Sequence, residues 1–356
     1  MRPGEVPVQT VTVGVDAMGG DLGPRPVVEG TVRAIRELGD EIRVALVGNQ
    51  DAVWSELARL HAEDLPLTVI HATDRVSMDE DPVRALRRKK DSSLHILARM
   101  HAGGEIHAMI SPGSTGAVVA CAQLALGKLA GVSKPAIASF LPTMRGNSVV
   151  VDVGASPDCR PHNLLQFAIM GSLYASLVLR LPRPRVGLLS IGEEREKGNE
   201  LSRAAHRLLE RSGLNFVGNL EGRDVLQGKA DVLVCDGFVG NVVLKLTEGA
   251  LTFFANRIRR EMMGSIAARF GSWLLKPSLL RLRRSLDPEE LGGAPLLGLN
   301  GICIVAHGHS GSLAIMNAIR MAVRCVRQGV NEHIRVQLAA IPQGSWVDGI
   351  EVAPCN

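Results

Sequence analysis

Leu188–Glu200 reads LLSIGEEREKGNE, and how this stretch is read decides the fold. An apolar, strand-like run, Val186 to Ile191, ends at Gly192; a loop of alternating acids and bases follows, and a helix-like segment begins near Asn199. A strand that empties into a polar, glycine-bearing loop before a helix is the unit of an open α/β sheet, where ligands bind at the carboxyl ends of strands. Gly192, Glu193, Glu194, Lys197 and Asn199 are therefore candidate ligand-binding residues. A run of mixed charges alone is more simply a solvated loop. A second stretch of the same kind shifts that balance. Ala230–Cys235 (ADVLVC) runs into Asp236-Gly237-Phe238-Val239-Gly240-Asn241, which adds Asp236, Gly237 and Asn241.

Outward from these loops the rhythm repeats. Val11 to Val15 reads as a first buried strand, ending at Asp16-Ala17-Met18-Gly19-Gly20-Asp21. Pro26 opens a helix whose Val28, Val32, Ile35 and Leu38 recur at helical spacing. Ile42 to Val47 and Leu67 to Ile70 read as strands, with a helix from Asp51 to Ala62 between them. This alternation predicts an α/β fold of three layers, helices on both faces of a mostly parallel sheet. The turn after Asp16, with Gly19, Gly20 and Asp21, offers backbone amides to a phosphate. It is not GxGxxG and no Walker loop occurs, so a nucleotide is not indicated.

Ser77 to Met100 places Asp79, Glu80 and Asp81 before Pro82, then Arg87, Arg88, Lys89 and Lys90 in a row. Acids first and bases later suit a solvated helix dipole; an anion site involving Lys89 and Lys90 is the competing reading. Ile106 to Ile110 reads as a strand feeding Ser111-Pro112-Gly113-Ser114-Thr115-Gly116. Ser114 or Thr115 caps the next helix, whose N-terminus also suits an anion. That helix, Ala117 to Leu129, is rich in small residues and implies close packing, within the chain or across a subunit contact. Ile137 to Leu141 and Ser148 to Val153 are further strands, the second carrying Asp152, and His162 to Leu179 is an apolar helix with Tyr174 as packing. Leu296 to Val305 leads to Ala306-His307-Gly308-His309-Ser310-Gly311. The His-Ser pair invites a hydrolase reading, but the GxSxG elbow is absent.

Composition sets the limits. The 356 residues suffice for one large domain or two modest ones, and the net charge of +4 gives no cause to invoke nucleic acid. Aromatics are only 3%, so the core is aliphatic. The 6 cysteines are scattered without a CxxC pair, which argues against a zinc ribbon and for reduced thiols in a cytosolic protein. Met1 to Thr10 lacks the apolar core of a signal peptide. No unbroken apolar run of about 20 residues is present, so no membrane span is expected. No His/Cys/Asp cluster has metal-ligand spacing, and no cofactor is expected.

Arg257 to Leu286 stands apart. Its bases include Arg257, Arg260, Arg281, Arg283 and Arg284, against the single acid Glu261. Interleaved are Phe254, Ile258, Met262, Phe270, Trp273, Leu274 and Leu275, at a spacing that makes an amphipathic helix, with Pro277 expected to break it from a second. A basic face beside an apolar one suits an anionic membrane surface or an acidic protein partner.

Val15-Asp16-Ala17-Met18-Gly19-Gly20-Asp21, Val151-Asp152-Val153-Gly154-Ala155, Gly192-Glu193-Glu194, Lys197-Gly198-Asn199-Glu200, Cys235-Asp236-Gly237-Phe238 and Gly292-Gly293-Ala294-Pro295-Leu296-Leu297-Gly298 occur in this order. In these segments the chain resembles the bacterial acyl-ACP:phosphate acyltransferases, the PlsX family, from roughly Thr12 to Gln328. It departs from the family pattern at Ala306, where a glycine is usual, and at His309-Ser310. The resemblance implies a fold shared with isocitrate and isopropylmalate dehydrogenases, one catalytic domain over residues 11–330, and tails at 1–10 and 343–356. It implies a reaction in which long-chain acyl-ACP and inorganic phosphate give acyl phosphate and free acyl carrier protein for phospholipid synthesis. It also implies a homodimer. The basic amphipathic segment and a lipid product together give the expectation of reversible docking on the inner face of the cytoplasmic membrane, beside a glycerol-3-phosphate acyltransferase.

The chemistry is consistent with that reading. Phosphate is itself the nucleophile and a thiolate leaves readily, so the protein must supply an anion site, alignment and donors for the oxyanion. Lys197 and Asn241 are the catalytic candidates, with the Gly-rich loops, Asp152 and His307 around the substrates. Arg257, Arg260, Trp273, Leu274, Leu275, Arg281 and Arg284 face a membrane or the carrier protein. A phosphotransacetylase acting on short acyl-CoA and a non-catalytic membrane-bound scaffold are the alternatives.

Overall fold

A computed structural model describes residues 10–340 apart from 287 and 291, with only the backbone described at 283–285 and 288; the outer tails lie outside the described residues. The strands are β1 (Val11–Asp16), β2 (Ile42–Gly48), β3 (Leu67–His71), β4 (Ala108–Ser111), β5 (Ala136–Thr143), β6 (Gly146–Val151), β7 (Val186–Leu189), β8 (Phe216–Leu220), β9 (Val232–Val234), β10 (Ala294–Leu297) and β11 (Ile302–Val305). The helices are α1 (Pro24–Leu38), α2 (Gln50–Arg59), α3 (Pro82–Arg88), α4 (Ser93–Ala102), α5 (Thr115–Leu126), α6 (Pro161–Val178), α7 (Glu200–Glu210), α8 (Gly237–Met263), α9 (Ile266–Ser285), α10 (Ser312–Arg327) and α11 (Val330–Ala339).

All eleven strands join one sheet in the order β3-β2-β1-β4-β11-β10-β5-β6-β9-β7-β8. Pairing is parallel except at β10–β11, β10–β5 and β5–β6. Those three reversals turn the sheet around, so the strands from β6 to β8 run opposite to those from β3 to β11. One apolar layer buries α1, α2, α6, α7, α10 and α11 against one face; the other buries α3, α4 and α5. The start of α8 packs on β5 and β6 on that second face. β1 (VTVGVD), β2 (IRVALVG) and β4 (AMIS) are mostly apolar without strict alternation, which follows from burial on both sides.

Several expectations are corrected in detail. The Ser77–Met100 segment is two helices, α3 and α4, rather than one. Leu296–Val305 folds into the β10–β11 hairpin, and Gly298 has the positive φ (+88°) that its turn needs. The small residues of α5 are explained within the chain, because Ala117, Val118, Cys121 and Ala122 are buried where α5 meets α3 and α4. Pro277 lies inside α9, and the break falls instead at Gly264-Ser265. On so exposed a helix, the carbonyl that a proline leaves unpaired is open to water. Finally, α8 is long and apolar enough to cross a membrane by length and composition, a property that a search for an unbroken apolar run passes over.

Candidate active site

The two opposed halves of the sheet use the same device at their strand ends. Asp16, at the end of β1, accepts hydrogen bonds from the amides of Met18 and Gly19 (3.0 Å each) and from Ser111 Oγ (2.8 Å). Asp152, just after β6, accepts from the amides of Ile137 (2.8 Å), Gly154 (3.1 Å), Ala155 (3.0 Å) and Ser156 (2.6 Å). Burial raises both carboxyls above the ordinary range, and these hydrogen bonds pull the other way. Both carboxylates are thus occupied in holding their own turns. Gly19 has no room for a side chain, since a Cβ would stand 2.8 Å from Asp16 Oδ2.

Around Asp152 the sequence Asp236–Asn241 is folded tightly. Asp236 caps α8 by accepting from the Val239 amide at 2.9 Å. A Cβ on Gly237 would lie 2.6 Å from Asp152 Oδ2, and one on Gly240 would overlap the Asp152 carbonyl oxygen. These glycines let the helix press onto the turn after β6, and they fix where Asn241 comes out. It emerges beside Gly154, in the wall of a cavity of about 420 Å³ between α5 and α8, over β5 and β10.

Ile137, Leu141, Val153, Leu244 and Leu251 give this cavity an apolar wall; Asn241, Lys245, Glu248, Thr115 and His307 bring polar groups to it. Lys245 Nζ lies 3.4 Å from His307 Nε2 and 3.1 Å from Glu248 Oε2. Burial, then the Lys245 charge, holds the His307 imidazole below its ordinary value. The divergent loop that carries His307 is seated on the β1 turn: the Asp21 amide donates to the Gly308 carbonyl (2.9 Å), and His309 Nδ1 stands 3.3 Å from Asp21 Oδ2.

Thr115, Gly116, Asn241 and His307 therefore meet in one cavity. Ser114 is the N-cap residue just before them. Gly20 contributes by close approach, since a Cβ there would stand 2.7 Å from the Gly308 carbonyl oxygen. Other candidates lie elsewhere. Lys89 is held by Glu80 (2.8 Å) and the Arg75 carbonyl (2.9 Å), and Lys90 is exposed on the same turn. Gly192 is buried at the root of the β7–α7 loop, whose other candidates are exposed and do not line the cavity. Glu193 pairs with Lys229 at 2.7 Å, and Asn199 caps α7 by accepting from the Ser202 amide at 2.8 Å. The Lys197 side chain has no partner among the described residues, and the Glu194 carbonyl accepts from Asn219 Nδ2 at 2.8 Å. Lys245 and Glu248 were not singled out in the sequence, although they follow Asn241 at helical spacing on an otherwise apolar segment. Among the described residues, no group of three His, Cys, Asp or Glu side chains is placed to hold a metal ion.

A family model described as fatty acid synthesis protein matches residues 11–333. The chain belongs to that family. Its relatives include the phosphate acyltransferases of Moorella thermoacetica, 48% identical over 89% of this chain and 93% of that one, and of Acidobacterium capsulatum, 44% identical over 92% and 97%. Among solved structures, a phosphotransacetylase from Streptococcus pyogenes shares the fold, with a TM-score of 0.59 over 89% of this chain and 94% of that one. Its 17% identity makes that likeness one of architecture alone. Family membership accounts for the ordered motifs, while the cavity shows which of them share a site.

Proposed function

We propose that this protein transfers the acyl group of a long-chain acyl-ACP to inorganic phosphate, releasing acyl phosphate for phospholipid synthesis. The observation that carries the proposal is the cavity itself, an apolar wall that suits an acyl chain beside an amide, an ammonium and an imidazole. A phosphate oxygen attacks the thioester carbonyl, forming a C–O bond and an oxyanion. The C–S bond then breaks, and its electron pair leaves on the pantetheine sulfur. Asn241 supplies a donor for the oxyanion from a fixed helix turn, and Lys197 reaches in from the neighbouring strand end when substrate is bound.

The reading extends to partners and place. The α8–α9 hairpin exposes Trp273, Leu274 and Leu275 at 67%, 59% and 56%. Arg257, Arg260 and Arg281 lie exposed on the same pair of helices, and the Arg284 side chain is outside the described ones. This face docks reversibly on the anionic inner face of the cytoplasmic membrane, where a glycerol-3-phosphate acyltransferase takes the product. Each base near such a surface contributes about 1 kcal/mol, and the apolar side chains add burial. The working unit is a homodimer.

The test is to incubate the full chain with phosphate and either palmitoyl-ACP or acetyl-CoA. Acyl phosphate formed from palmitoyl-ACP supports the proposal. Turnover of acetyl-CoA alone would make the protein a phosphotransacetylase, and turnover of neither would make it a scaffold. For docking, Leu274→Glu with Leu275→Glu should abolish sedimentation with anionic vesicles while leaving soluble turnover intact. Unchanged sedimentation, with a raised KM for acyl-ACP, would give the face to the carrier protein instead. Monomer alone in sedimentation velocity at micromolar protein would refute the dimer.

A further inference from the structure

Asn241, Leu244, Lys245, Glu248 and Leu251 fall at helical spacing along one stripe of α8, and all five line the cavity. Lys245 is one turn beyond Asn241, so the two head groups rise from sites about 6 Å apart along the helix axis. That offset suits one side chain on the thioester oxygen and the other on the nucleophile. An ammonium has three N–H donors and no acceptor. One of those on Lys245 goes to Glu248 Oε2 at 3.1 Å, and His307 Nε2, 3.4 Å away, takes a second in the tautomer that carries its proton on Nδ1. Burial, then the lysine charge, holds the His307 imidazole below its ordinary value. The third donor is left for a ligand. Across the cavity stand Thr115 and Gly116, the first residues of the twelve-residue helix α5. The N-cap Ser114 makes no side-chain hydrogen bond to that helix, so its first amides have no acceptor from the cap.

We infer that Lys245, oriented by His307, holds the attacking inorganic phosphate in this cavity. The inference rests on the acyltransferase reading, and adds to it the side chain that carries the nucleophile. In this arrangement Glu248 plays two opposed parts: it steadies the ammonium, and its charge competes with the phosphate for it. Removing that charge tightens phosphate, whereas removing the ammonium weakens it. A merely structural role for the cluster would move both variants in the same direction.

The experiment uses the full chain and inorganic phosphate, with Lys245→Met, Lys245→Arg and Glu248→Gln. Lys245 is 54% exposed at the side chain, so its variants should fold, and thermal melting checks that they do. Loss of one charge-assisted hydrogen bond corresponds to about 10- to 100-fold in affinity. Lys245→Met should raise the phosphate KM by that factor with little change in the KM for acyl-ACP. Lys245→Arg should recover most of the loss, and Glu248→Gln should lower the phosphate KM. Calorimetric titration of phosphate into each protein, with no acyl donor present, reads the same subsite without turnover. Wild type that forms no acyl phosphate would sink the acyltransferase reading alone, because the titration still separates wild type from Lys245→Met. Equal phosphate binding by those two proteins overturns the inference.

Discussion

The loops after β7 and β9 leave neighbouring parallel strands at the same edge of the sheet, and in the sequence they look alike. Each is an apolar strand, a glycine-bearing turn, and a helix capped by its own Asn or Asp side chain. The structure treats them differently. After β9 the helix starts almost at once, pressed by Gly237 and Gly240 onto the Asp152 turn, and Asn241 becomes part of a wall. After β7 ten residues pass before α7 begins, and Lys197 ends exposed. This second loop is tied from outside, by Asn219 to the Glu194 carbonyl and by Glu210 to Arg195 at 2.8 Å. One loop therefore places Asn241 in the cavity wall, and in the proposed mechanism the other brings Lys197 to it only with substrate. Rigid placement is worth more to catalysis than the same group on a mobile tether, so the two should differ in how mutation hurts them.

The largest effect is expected at the contact that makes the first loop rigid. Gly240→Val puts a branched side chain into the Asp152 carbonyl, so the first turn of α8 cannot seat, and Asn241 and Lys245 leave the cavity together. Turnover should vanish and the melting temperature should fall. Gly249→Ala, on the same helix with open space at its Cβ, is the control and should be neutral or stabilising by about 0.5–1 kcal/mol. Full activity in Gly240→Val would show that the seating of α8 does not matter.

Asn241→Ala comes next. Removing one preorganised oxyanion donor costs on the order of 10²–10³ in turnover, and this exposed side chain has no partner whose loss would unfold the protein. Lys197→Ala should cost less, about 10- to 100-fold, the worth of a charge-assisted hydrogen bond made only with substrate present. Steady-state kinetics at saturating phosphate check both. If Lys197→Ala were silent, the β7–α7 loop would have no part in the reaction. If it matched Asn241→Ala, the loop would close over the cavity before the chemical step.

Much of this molecule is legible in its sequence, for physical reasons that differ by region. The strands from β1 to β7 announce themselves as mostly apolar runs, since all but the edge strand β3 are largely buried. β8 escapes notice: its sequence, FVGNL, mixes glycine and asparagine and sits at the edge, where Val217 is exposed. Asn241 is legible because a strand, a turn and a helix frame it. Lys245 and Glu248 are not, since they lie inside a helix that otherwise reads as apolar, and the imidazole that defines the cluster is 62 residues further on. Local pattern finds a loop, but only the fold shows which loops meet.

The smallest effect expected is at Asn219, and it tests whether the outer tether matters to Lys197. Asn219 is buried; its amide nitrogen donates to the Glu194 carbonyl at 2.8 Å and its oxygen stands 2.8 Å from His206 Nδ1. His206 is itself packed edge-on against Phe216, 5.1 Å between ring centres, with Nε2 3.4 Å from Glu210. Asn219→Ala leaves a buried imidazole nitrogen and a carbonyl without their partner, which should lower stability by about 1–3 kcal/mol. Its effect on turnover should be smaller than that of Lys197→Ala, because the loop is loosened rather than stripped of its cation. The two effects should also fail to add. In a Lys197→Ala background, Asn219→Ala should cost the same stability and no further activity, since the group it positions is gone. A double variant whose activity losses simply multiply would mean that Asn219 acts on the reaction by some route other than the Lys197 loop.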